Sequence, residues 1–215
     1  MTHRYWPLLD LRVTTGDLVL APLTEADLDD VVRVLPPDVE QNPSAPRFGL
    51  ADDVHRGVVV HQEYWRSYGT WTTEAWRFHL AVRRDGELLG LQELEGNEFP
   101  TLRTVDTSSW LVRGARGQGL GKAMRRAVLA LAFDHLAAAA AITSAWHDNT
   151  ASLGVSRSLG YRDNGVSSLA CDDGVDTLVH LRMTRADWQA AGGAPDVRVE
   201  GLDAALALFD PPDGR

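Results

Sequence analysis

The chain predicts a single α/β domain, on three observations. Residues 104–133 read as a β-branched strand, a glycine-dense turn and a helix. Asp85-Gly86 sits between two strand-like runs, a strong signal for a two-residue hairpin. Residues 161–169 and 175–183 form a second strand-like pair after a short capped helix.

Composition agrees with one soluble globular unit. At 215 residues the chain is one domain, or one domain (1–194) with a C-terminal extension (195–215). Apolar residues make up 44% and charged residues 24%, and no apolar run approaches the ~20 residues a membrane helix needs. No signal-peptide core opens the sequence. One cysteine, Cys171, cannot form an internal disulfide and points to a reducing, cytoplasmic compartment. Cys171 reads as a bystander rather than a nucleophile, because no basic residue adjoins it. The net charge of −9 argues against a nucleic-acid partner and suits a cationic one such as an amine.

In chain order, residues 11–23 read as a strand or a bent pair of strands. Thr24 and Asp27 then form a capping box that opens a helix ending near Pro36-Pro37. Residues 36–46 are proline-rich loop. A helix begins near His55 and breaks at Gly69, and this segment carries Tyr64, Trp65, Tyr68, Trp71 and Trp76. These rings either pack the helix onto the sheet or line a wall for a cationic substrate. On the second hairpin strand, alternation puts Leu89, Leu91, Glu93 and Glu95 on one face. Residues 97–103 read as loop, and residues 104–112 as the strand feeding the glycine turn.

In the helix after that turn, Leu120, Ala123, Met124, Ala127, Val128, Leu131 and Ala132 recur at helical spacing, with Lys122, Arg125 and Arg126 off the stripe. The alanine-rich run before Trp146 is the next strand, despite the low strand preference of alanine. Asp148 or Asn149 caps a helix that ends at Gly160. Ser152, Val155, Ser156 and Leu159 share one face of it. Thr184 and Asp187 open a last short helix stopped by Gly192-Gly193. Leu202, Leu206 and Phe209 mark an apolar helical face in the extension, packing on the body or on a second subunit of a homodimer.

The glycine turn carries the chemistry. The first amides of a helix lack internal acceptors, and the helix dipole adds positive potential, so a loop of this kind favours a phosphate or diphosphate. The nucleoside-triphosphate loop would need glycine at Arg116 and a hydroxyl at Ala123, and the dinucleotide fingerprint would need glycine at Lys122. Neither fits. Arg116-Gly117-Gln118-Gly119-Leu120-Gly121 instead resembles the acyl-CoA diphosphate loop of the GNAT superfamily of N-acyltransferases. Asn149, Ser152, Val155, Leu159, Gly160 and Tyr161 match a second motif, found in the branch resembling ribosomal-protein N-terminal acetyltransferases. The chain departs from the family pattern in having Arg157-Ser158 for a common Glu-Lys, and Ser156 where many members carry a proton-donating tyrosine.

The resemblance implies a mixed, mostly antiparallel sheet with helices on both faces, splayed at an acyl-CoA cleft. It implies acetyl-CoA as co-substrate, its diphosphate held by Arg116, Gly117, Gln118, Gly119, Leu120, Gly121 and Lys122, and its pantetheine arm laid along the backbone of Leu111 and Val112. Asn149 is placed to bond a pantetheine amide, and Ser152 or Ser156 to assist the leaving thiolate. The acceptor is a primary amine, on a small molecule or a peptide N-terminus, which must lose a proton before it attacks. Asp106, at the position where relatives often carry glutamate, and either of the two acids on the second hairpin strand, Glu93 or Glu95, are the candidate bases. No histidine spacing suggests a metal. The alternative reading is a non-catalytic acyl-CoA-binding regulatory or scaffold module.

Overall fold

A computed structural model describes residues 3–39, 48–171 and 174–209. Among the described residues nine strands, numbered in chain order, form one sheet in the order β7-β8-β6-β5-β4-β3-β2-β1-β9. In the N-terminal half, β1 (Arg12–Thr15) and β2 (Leu18–Pro22) pair antiparallel across a turn at Gly16, resolving the bent pair of strands. Thr24 and Asp27 form the expected reciprocal cap before α1 (Leu28–Val34). The helix α2 (Asp52–Gly69) stops at Gly69. Strands β3 (Ala75–Arg84) and β4 (Glu87–Asn97) close on Asp85 and Gly86, both with positive φ, as a tight hairpin requires.

Two features of this hairpin differ from the sequence reading. Arg83 pairs with Leu88 and Val82 with Gly90, so Leu89 is an extra residue in β4. The bulge turns Leu89 into the main core, while Leu91 packs with Leu23, Leu28 and Val31 on the opposite face. Leu89 therefore does not share a face with Leu91, Glu93 and Glu95. Gly90 is fixed by the same approach, since a Cβ there would stand 2.1 Å from the Trp110 carbonyl oxygen. Residues 97–103 are likewise not all loop: α3 (Phe99–Leu102) forms one helical turn, held by burial of Phe99 against Trp76.

The second half runs β5 (Thr104–Leu111), α4 (Leu120–Ala130), β6 (Ala140–Trp146), α5 (Thr150–Ser158), β7 (Arg162–Cys171), β8 (Gly174–Thr184), α6 (Arg185–Ala190), β9 (Arg198–Glu200) and α7 (Leu202–Phe209). The alanine-rich β6 is a strand because both edges are paired, β8 antiparallel on one side and β5 parallel on the other. The β5–β6 pairing is the one parallel contact between described strands. It lasts for three registers, from Thr104↔Ala140 to Asp106↔Ile142. Both strands then continue without pairing to each other, so the sheet splays beyond Asp106.

The larger core lies under α4 and reaches Phe209 of α7, which meets Trp71, Trp76 and Phe78. The smaller core lies on the other face, under α1 and α2. In the C-terminal segment β9 pairs with β1, and the Leu208 carbonyl accepts a hydrogen bond from the Trp71 indole at 2.8 Å. Among the described residues no helix is long and apolar enough to cross a membrane.

Candidate functional site

The glycine loop lies where the strand reading placed it, between β5 and α4. Gly117 and Gly119 adopt φ of +75° and +79°, a left-handed backbone that glycine takes without strain. Gly119 is the residue before α4, and its carbonyl accepts the amides of Lys122 and Ala123. The amides of Leu120 and Gly121 in the first helical turn have no acceptor within the helix, which makes this end an anion site. The Gln118 side chain donates back to the Gly114 carbonyl at 2.7 Å and stiffens the loop. Arg116 donates Nε to the Leu111 carbonyl and two further nitrogens to Asp38, at 2.6 and 3.2 Å. That hydrogen bond from Arg116 holds the Asp38 carboxyl at a pKa of about 2.

Leu111 is buried and Val112 donates its amide to Leu89 across the β4 bulge at 2.8 Å. On α5, Asn149 accepts the Ser152 amide through its side-chain oxygen at 3.0 Å. Its NH2 end remains to donate. Ser152 is partly exposed. Ser156 departs from the expectation: it is 1% exposed, and its hydroxyl donates to the Ser152 carbonyl of its own helix at 3.0 Å. Serine hydroxyls commonly make this turn-back bond within helices, and here it takes Ser156 out of the cleft.

On the other side of β5, cross-strand register gathers the acids. Glu93 faces Ser108, and Glu95 faces Asp106. Together with Thr107 and Ser144 they line a polar cavity of about 110 Å³. A larger cavity of about 200 Å³ adjoins it, sharing Glu93 and Ser108, and is walled by apolar residues including Val31, Val59, Tyr64, Leu91 and Trp110. Arg77 reaches Glu63 at 3.3 Å, Glu93 at 3.5 Å and Glu95 at 3.0 Å. His79 Nδ1 lies 3.1 Å from Glu93.

The two candidate bases are pushed in opposite directions. Burial raises the Asp106 carboxyl above its ordinary range, the Thr107 amide at 2.6 Å opposes that, and the charges of Glu95 and Glu93 add to the rise. Burial also pushes Glu93 up, but the hydrogen bond and charge of His79 and the charge of Arg77 outweigh it, so Glu93 ends below its ordinary value.

Sequence periodicity missed Arg125. It was read off the apolar stripe of α4, yet it is 3% exposed and wedged into the splay. Its Nη1 donates to Thr143 Oγ1 at 3.3 Å and its Nη2 to Ser109 Oγ at 3.0 Å. Thr143 in turn donates to the Thr107 carbonyl at 2.7 Å, and the Thr107 and Tyr161 hydroxyls lie 3.2 Å apart. His79 and Arg77 were also missed, because cross-strand pairing exists only once register is known. Of the five aromatic residues, Trp71 and Trp76 join the core, Tyr68 donates to the Leu23 carbonyl, Tyr64 lines the larger cavity and Trp65 is half exposed. Among the described residues no group of three or more metal-binding side chains converges.

Comparison with known proteins places this architecture. A family model described as an acetyltransferase (GNAT) domain matches residues 17–162. Mycobacterium smegmatis RimJ, solved with a CoA disulfide, superposes with a TM-score of 0.64 at 20% identity, over 85% of this chain and 93% of that one. A ribosomal L7/L12 α-N-protein acetyltransferase, RimL, solved with coenzyme A, gives 0.63 at 14% identity over 80% and 97%. Mutant forms of the Vibrio cholerae spermidine/spermine N-acetyltransferase SpeG give 0.63 at 13% identity over 82% and 98%. At these identities the superpositions establish a shared fold. The matched stretch carries the glycine loop, the splayed strands and the acid cluster, and through it this chain belongs to the GNAT acetyltransferase family.

Proposed function

We propose that this protein is an acetyl-CoA-dependent N-acetyltransferase that transfers acetyl directly to a primary amine in a ternary complex. One observation carries the reading: the acid-lined cavity meets β5 at Asp106, Thr107 and Ser108, where the sheet opens, on the same strand that runs on into the glycine loop. A thioester arm running from the loop toward the splay and an amine entering from the cavity would converge there. Two solved structures of the same fold hold CoA species, which supports the co-substrate.

The roles follow from the charges. The amides at the start of α4 hold the diphosphate, with Arg116 and Lys122 beside them. Glu93, depressed by His79 and Arg77, stays ionised and draws in the ammonium form of the acceptor. Asp106, pushed up, takes the proton, because a base works best when its pKa approaches the working pH. The amine lone pair then attacks the thioester carbonyl. The apolar wall of the larger cavity favours an amine carried on an apolar body over a highly charged one. Coenzyme A thiol release, followed across a panel of amines and N-terminal peptides, tests the reading. Asp106→Asn is expected to lower kcat by about 10²–10⁴-fold with CoA affinity retained. Binding of acetyl-CoA with no turnover on any amine would mark a CoA-binding module instead.

A further inference from the structure

The GNAT reading leaves the buried guanidinium of Arg125 without a task. Its polar partners are neutral: the Thr143 and Ser109 hydroxyls, with the Tyr161 hydroxyl adjacent. Its Nε is fully buried, with no hydrogen-bond partner among the described residues. Among the described residues no carboxylate forms an ion pair with it, and Asp106 acts on it only through longer-range charge. A buried charge without a counter-ion is costly and favours any anion that forms nearby.

The geometry points to the leaving sulfur as that anion. We propose that Ser109, polarised by Arg125, is the hydrogen-bond donor that receives the thiolate of coenzyme A, with Arg125 as the positioning residue behind it. Ser109 is exposed on β5, two residues before Leu111 and three after Asp106, the last residue of β5 that pairs with β6. It borders the larger cavity and adjoins Ser108, which both cavities share. Because Ser109 Oγ accepts from Arg125, its own O–H remains to be given away, and the adjacent cation makes that proton a stronger donor. Ser156, bonded within its own helix, is not placed to do this.

The step balances without proton transfer from serine. Asp106 first takes the ammonium proton and passes it to solvent; the amine nitrogen then bonds to the carbonyl carbon, and its second proton passes to the freed Asp106 carboxylate. The C–S bond breaks, and its electron pair stays on sulfur. A thiol with a pKa near ~8.5 leaves readily as its anion. Ser109 and Arg125 stabilise that anion, which later takes a proton from water.

This inference rests on the acetyl-CoA reading above, and its test separates the two. The thiol pKa of CoA bound to the full chain is read from the ultraviolet absorbance of the thiolate, beside calorimetric CoA affinity. In the wild type the bound thiol should titrate below free CoA. Ser109→Ala, at an exposed position that should not disturb folding, should raise it by about one pH unit, the tenfold effect of losing a hydrogen bond to a charged partner. Ser109→Thr should restore it. Arg125→Lys should hold the lowered value better than Arg125→Gln, and kcat should fall in step while the KM for acetyl-CoA stays constant. No CoA binding to the wild type would sink both readings. Wild-type CoA affinity with a thiol pKa unmoved by Ser109→Ala would overturn the role of Ser109 alone.

Discussion

Asp106 and Ser108 on one face of β5 look onto Glu93 and Glu95, acids that stay partly exposed and are crossed by Arg77 and His79. Thr107 and Ser109 on the other face belong to the packing around Arg125, a cation sealed from solvent among hydroxyls. The first arrangement is wet, mutually compensated and tunable; the cation of the second is dry and fixed, and only Ser109 carries its influence out to the larger cavity. Adjacent residues of one strand thus serve two environments, because side chains alternate every residue. A carboxylate that must exchange protons needs solvent contact, whereas a fixed charge acts most strongly where the dielectric is low.

The largest effect is expected where the two faces are joined. Gly90→Ala would place a methyl against the Trp110 carbonyl, and no flexible side chain is there to yield. Both faces should fail together, with a stability loss above about 4 kcal/mol seen in urea unfolding. Gly119→Ala separates the faces. A non-glycine residue in the left-handed region costs about 1–2 kcal/mol. The KM for acetyl-CoA should rise by a factor of about 5–30, with the amine KM unchanged.

Arg77→Leu acts on the wet face alone. Removing a positive charge raises the pKa of the carboxylates it faced, so Glu93, which must be ionised to draw in the ammonium, loses its charge at higher pH. The acid limb of kcat/KM should move to higher pH, with CoA affinity unchanged in calorimetry. In stability terms the sign for Glu93 is the usual carboxylate one. Its depressed pKa contributes stability above the unfolded value of ~4.3, and that stability is lost as pH falls through the lower folded value. Acid unfolding of Arg77→Leu should therefore begin at higher pH than in the wild type. The smallest effect belongs to Asp38→Asn, an exposed partner of Arg116. It should tighten CoA binding by no more than a few-fold, and the gain should vanish at high salt.

Features fixed by neighbours in sequence were legible before the structure. The Asp85-Gly86 turn, the caps at Thr24 and Thr184, the Asn149 cap and the left-handed Gly160 each depend on a few consecutive residues. The glycine loop was legible for the same reason. What escaped depends on register or on tertiary packing. One inserted residue, Leu89, reverses a strand face that simple alternation assigns otherwise. Arg125 looks solvent-facing on a helical wheel, and only the opening between β5 and β6 creates a polar niche for it. The His79–Glu93 pair joins residues that meet only once β3 and β4 are in register. Ser156 shared a face with Ser152, but nothing in that spacing shows that its hydroxyl would turn inward to a backbone oxygen.

The C-terminal segment has a consequence for how the molecule assembles. Phe209 completes an aromatic nest begun by Trp71 and Trp76, and Asp196 accepts from Thr15 across 181 positions of chain. Contacts that span so much of the polypeptide demand large loop closures before they give anything back, which slows folding. Until residues 196–209 are in place the body holds an open, tryptophan-lined seam, and removing them would take out its keystone rather than trim an ornament.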